Sequence, residues 1–222
     1  MSEYGYGVER SQSSVLATNK VLKNTYMLLS MTLLFSAFTA AASMVIGIGQ
    51  GMALILMLVS FGLLFWVHKA AETSQGLVAI FAFTGCLGAS LGPMLSFYVA
   101  LPNGPGMVLQ ALGGTGLIFF ALSGYALTTR KDFSFMRDFL FTGLIVAIVA
   151  MLLNIFLNIP ILSLVISAAV IMIMSGLILF DTSRIIHGGE TNYIRATVSL
   201  YLNIYNIFIH LLRIISAMSG RN

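Results

Sequence analysis

Six polar side chains, Arg195, Ser199, Asn203, Asn206, His210 and Arg213, recur at spacings of four, four, three, four and three in an otherwise apolar stretch. At about 100° per residue they fall within an arc of roughly 80° on one helix face. At the α-helical rise the stripe is about 27 Å long, close to the thickness of a bilayer's hydrocarbon core. Polar groups at that depth must find partners or water, so this face cannot point at lipid. The stretch belongs inside a helix bundle, and the rest of the chain must supply the surrounding helices.

The composition agrees. The chain is 59% hydrophobic and only 8% charged, whereas a soluble domain carries about 25% charged residues. It therefore reads as an all-α integral membrane protein with little mass outside the bilayer. Seven apolar runs lie at about 26–47, 52–68, 76–100, 107–128, 138–157, 161–180 and 193–217, most of them near the ~20 residues needed to span. Asn158, Ile159 and Pro160 divide the fifth from the sixth; fused, the two would be too long for one span. Residues 1–19 are polar and rich in Gly, Ser and Tyr, and predict a disordered cytoplasmic tail ahead of a transmembrane domain over 20–222.

The net charge of +4 does not point to nucleic acid, because the basic residues sit in alternate short loops. Arg10, Lys20 and Lys23 precede or open the first span. Lys69 follows the second, Arg130, Lys131 and Arg137 lie around the fourth loop, and Arg184 lies near the sixth. With seven spans this bias predicts a cytoplasmic N-terminus and a periplasmic C-terminus. Arg213 and Arg221 run against the bias, at the end where charges count least. Ala40-Ala41-Ala42-Ser43 resembles a signal-peptidase site. Removing that first run would reverse the sense of every basic loop, so it is read as a retained helix.

Packing accounts for most glycines. Gly85, Gly88 and Gly92 mark a close-approach face of the third helix, which Pro93 kinks. Gly113, Gly114 and Gly116 are expected to act similarly in the fourth. Neither cluster has the Lys-Ser/Thr ending of a phosphate loop. The single cysteine, Cys86, excludes a disulfide framework.

Asp181 is the sharpest single residue, closing the sixth span after Leu177-Ile178-Leu179-Phe180. A carboxylate at such a place needs a cationic or hydrogen-bonding partner. It reads as a gate or ion-binding group beside the stripe, with Asn203 and Arg195 as companions, or as an interfacial acid paired with Arg184 or Arg195. The stripe itself lines an aqueous path or bonds helices together. Asn154 and Asn158 are natural partners for it, and His210 is read as a hydrogen-bonded interior residue. His187 and Glu190, three residues apart, are a weak metal signal with nothing nearby to complete a tetrahedral site. No cofactor is expected. Nor is an enzyme: an aspartyl protease needs a second carboxylate facing Asp181, Ser123-Gly124 and Ser175-Gly176 lack a leading glycine, and there is no H-E-x-x-H.

Longer motifs carry a resemblance. Leu179 to Gly188 (LFDTSRIIHG) and Ser199 to Phe208 (SLYLNIYNIF) resemble the end of the Bax inhibitor-1 family. The run from His187 to Tyr201 (HGGETNYIRATVSLY) is similar to its bacterial YccA branch almost residue for residue, as are Lys20 to Tyr26 (KVLKNTY) and Leu127 to Asp132 (LTTRKD). The resemblance covers the chain after the tail. It implies a bundle of seven helices, six around a central seventh, in the bacterial inner membrane. It also implies one of two roles. Members of that branch modulate the membrane-bound, ATP-dependent zinc protease FtsH; other members are pH-sensitive calcium leaks built on a pair of aspartates that share a proton. Asp181 matches the first aspartate, whereas the second position holds Asn203. An amide neither titrates near physiological pH nor supplies the second negative charge that a hard cation favours.

Overall fold

The apolar runs resolve into helices in a computed structural model describing residues 3–220, with side chains from Leu16 onward. In chain order these are α1 (Glu3–Ile46), α2 (Gln50–Ala70), α3 (Gln75–Ser90), α4 (Gly92–Val99), α5 (Gly104–Thr129), α6 (Arg137–Leu157), α7 (Pro160–Ile186) and α8 (Tyr193–Ser219). A 3₁₀ turn at Ser134–Met136 precedes α6. Among the described residues, seven stretches are long and apolar enough to cross a membrane, with α3 and α4 together forming the third. The break at Leu91 puts Pro93 in the first turn of α4, where its missing N–H costs nothing. Asn158 adopts a left-handed conformation (φ 50°) that closes α6, and Pro160 opens α7 after a reversal of two residues.

One expectation needs correcting. α1 is helical from Glu3, and so runs through most of the segment whose composition predicts disorder. The apolar part of α1 supplies the costly nucleus, after which each further residue only propagates the helix. Met1 and Ser2 of that segment lie outside the described residues. Through Ala40–Ser43 the helix is unbroken, Ala40 is buried, and the Ser43 hydroxyl donates to the Ala89 carbonyl at 2.7 Å.

Successive spans run antiparallel, so the α2–α3, α5–α6 and α7–α8 connections gather at the end where α1 enters, here the tail end. They are tied together there. Asn192 Nδ2 donates to the Ala71 carbonyl at 2.8 Å, Ser183 Oγ donates to the Lys131 carbonyl at 3.2 Å, and the Phe133 amide donates to Ser183 Oγ at 3.1 Å. At the exposed surface beside them, hydrogen bonds from the Ser134 side chain and then from its amide hold the Asp132 carboxyl below the usual carboxylate range.

α8 is enclosed. It packs on α7, α5 and α1, and more lightly on α3 and α2. Ile194, Leu200, Tyr201, Ile207 and Leu212 are buried around its circumference. α6 stands outside this ring and packs chiefly on α7. Leu140 and Ala147 are its buried residues, and Phe139, Phe141, Ile155 and Phe156 face outward.

Close approach of α1 to α3 and α4 depends on glycine, as expected. A β-carbon on Gly88 would meet the Ser36 carbonyl, and one on Gly92 would meet the Ser43 side chain. In α5 the expectation holds for Gly114 alone, which lies against Leu211; Gly113 and Gly116 face open space. The turn of the α5 helix has room for only one of the three at the α8 contact.

Candidate functional site

The polar stripe of α8 divides by depth. In its middle, Asn203 is buried and its Nδ2 donates to Asp181 Oδ2 of α7 at 2.8 Å. Seven residues on, buried His210 places Nδ1 3.1 Å from Ser167 Oγ, also on α7. The Ser167 hydroxyl donates its only proton to the Ser163 carbonyl at 2.8 Å. Asn206 donates back to Leu202 of its own helix at 2.8 Å, and Ser199 is half-buried one turn before Asn203.

The two arginines leave the middle and go to opposite ends. Arg195 pairs with Glu72 of the α2–α3 loop at 3.0 Å. Arg213 is exposed and, with Asn154 and Asn158, lines a cavity of about 570 Å³ between α6, α7 and α8. Those asparagines thus come to the stripe through a shared cavity rather than by direct bonds.

Asp181 pairs with neither arginine proposed for it. Arg184 turns instead to Glu190 at 3.6 Å and to the Gly189 carbonyl at 3.2 Å, with its guanidinium over the Phe180 ring. The cause is local: the α7–α8 connection folds back on the last turn of α7, bringing Gly189 and Glu190 within reach of Arg184. His187 and Glu190 do not converge either. His187 Nδ1 lies 2.9 Å from the Ser183 carbonyl, and Glu190 Oε1 accepts from the Asn192 amide at 3.0 Å.

Several partners were not anticipated. Asn192 caps α8, accepting from the amides of Ile194 and Arg195 at 2.9 and 3.1 Å while its amide holds Ala71. Ser36 on α1 meets the Tyr201 hydroxyl at 2.7 Å. Tyr26, Ser123 and Thr182 form a hydroxyl chain across α1, α5 and α7, at 2.6 and 3.2 Å. The readable signal lay on α1: Thr25, Thr32, Ser36 and Ser43 are buried on one face and repeat at spacings of seven, four and seven.

This geometry, a carboxylate from the sixth span against an amide from an enclosed seventh, coincides with a match over nearly the whole chain. The family model described as Inhibitor of apoptosis-promoting Bax1 matches residues 18–220. The chain belongs to this family. Among Bax inhibitor-1 relatives, a Vibrio cholerae protein described as an uncharacterized membrane protein is 55% identical over 96% of each chain. An Escherichia coli K12 protein named modulator of FtsH protease YccA is 51% identical over 94% of each chain. Its counterpart from E. coli O6:H1, equally similar, is named inner membrane protein YccA. These are descriptions of membrane proteins and of a protease modulator, not of enzymes. In this Bax inhibitor-1 member, then, the positions that face each other across α7 and α8 are Asp181 and Asn203.

Proposed function

We propose that this protein resides in the bacterial inner membrane, where it binds the ATP-dependent protease FtsH and restrains it. The observation that carries the reading is the 51% identity, over 94% of both chains, to the E. coli relative named for modulating that protease. The basic residues support the orientation this needs. Lys20, Lys23, Lys69, Arg130, Lys131, Arg137, Arg184 and Arg195 all lie at the tail end, whereas Arg213 lies at the far end. That distribution favours a cytoplasmic tail end.

A mechanism follows from the bundle. Proteases of this type grip a terminus and pull. Residues 1–19 are the handle, and the part of α1 ahead of the membrane yields readily, since isolated short helices are marginal. Beyond it the pull meets hydrogen bonds that join α1 to α8, α5 and α3. Each broken in lipid leaves a polar group without water. The protease is thereby occupied by a slowly processed substrate. Cross-linked capture of the tagged protein from native membranes should enrich FtsH over an unrelated seven-span control. Deleting residues 1–19 should abolish restraint of a second substrate. Failure to enrich FtsH overturns the reading, and intact restraint without the tail overturns the handle.

A second reading, a cation leak gated at Asp181, draws on the direct contact between Asp181 and Asn203 at 2.8 Å. One carboxylate and one amide make a poorer cation site than two carboxylates. In reconstituted vesicles a leak should fall with Asp181→Asn and become pH-sensitive with Asn203→Asp. Flux equal to empty vesicles at every pH removes this reading.

A further inference from the structure

We propose that the far-end cavity between α6, α7 and α8 binds the phosphate-bearing headgroup of an anionic phospholipid, with Arg213 as its charged anchor. The cavity holds about 570 Å³, and Arg213, Asn154, Asn158 and Ser163 contribute its polar wall. These groups converge as donors. Asn154 spends its Oδ1 on the Ile159 amide at 3.2 Å, which leaves its Nδ2 for a ligand. Asn158 follows one turn later and is exposed, and the Arg213 guanidinium brings a fork of N–H groups suited to an oxyanion.

The charge distribution excludes a cation. Among residues with described side chains, the acidic ones are Glu72, Asp132, Asp138, Asp181 and Glu190; all stand at the tail end except Asp181, which lies inward of it on the tail-side half of α7. Arg213 forms no ion pair within the described residues. A guanidinium facing a donor-rich cavity with no acid nearby is complementary to a net-negative group. A zwitterionic headgroup brings an ammonium for which this wall has no carboxylate.

Position favours a lipid over a free anion. Arg213 is six residues from the end of α8 at Ser219, or about 9 Å along the axis, the depth at which headgroups meet hydrocarbon. The rest of the wall is apolar, with Met151, Ile155 and Ile166 among its residues, and Ile155 is 72% exposed to the surroundings of the bundle. α6 packs chiefly on α7, so the gap beside α8 opens sideways. A ligand with a charged head and an acyl tail fits both halves of that wall.

The test is native mass spectrometry of the full-length detergent-solubilised protein, titrated separately with phosphatidylglycerol, phosphatidylcholine and inorganic phosphate. Phosphatidylglycerol should bind preferentially, and Arg213→Gln should weaken it about tenfold, the worth of a charge-assisted bond. Arg213→Lys should restore part of the loss. Two further variants preserve the fold: Asn154→Asp keeps the acceptor for Ile159 and adds a repelling charge, and Asn158→Gly keeps the left-handed turn. Both should weaken binding. Equal binding of both lipids, or no effect of Arg213→Gln, would reduce Arg213 to a side chain reaching for the interface and overturn the proposal. Binding of inorganic phosphate as tight as that of phosphatidylglycerol overturns the lipid assignment.

Discussion

Asn192 shows how much one side chain can join. Its carbonyl oxygen satisfies two amides that the first turn of α8 leaves open, and its amide holds the α2–α3 loop through Ala71. Asn192→Ala loses both functions and should cost about 1–2 kcal/mol, the usual worth of a cap. The drop should appear in the thermal midpoint in detergent, with faster amide exchange confined to the start of α8. Asn192→Asp keeps the cap, loses the tie to Ala71, and should fall between. A midpoint unchanged in Asn192→Ala would show that the cap is redundant. The same scale decides what Asp181 does. Its carboxylate accepts a hydrogen bond from the Asn203 amide, while Arg184 pairs with Glu190 and Arg195 with Glu72. The sequence singled out Asp181 at the end of the sixth span and its need for a partner, but not this choice of partner, because Glu190 and Glu72 compete through loops whose path only the folded chain defines.

Among the elements, α3 and α1 meet where glycine removes a side chain. Gly88→Val would drive two methyl groups against the Ser36 carbonyl and should destabilise by roughly 1–3 kcal/mol. Gly116→Ala, on a helix face with open space, should leave stability unchanged. Parallel melts of the two variants check this, and equal losses would sink the assignment of the packing face. Breaks and turns were legible: Pro93, Asn158 and Pro160 stand where α3 ends, α6 closes and α7 begins. The stripe on α8 was legible too, since Arg, Asn and His in an apolar run have no local way to hide. The hydroxyl stripe on α1 was not. Ser and Thr can satisfy themselves on the preceding turn, as exposed Ser30 does on Tyr26 at 2.9 Å. Buried Ser36 looks the same in sequence and bonds Tyr201 instead.

The whole molecule is electrically lopsided. Among the described side chains, the acidic ones and most basic ones crowd the tail end, and the far end carries Arg213. Cysteines introduced at Asn103 and Ser219 should react with an impermeant thiol reagent from the periplasm, and one at Thr73 should not; the reverse pattern would invert the assigned orientation. The residue-level bonds between α1 and α8 have a mechanical meaning at this scale. Thr25 meets Thr197 and Ser36 meets Tyr201, at successive heights along two helices that lie side by side. A force along α1 therefore loads these contacts in shear, all at once, rather than peeling them one by one. In a shear joint the contacts share the load, so strength grows with their number, and a single weakened bond changes it little.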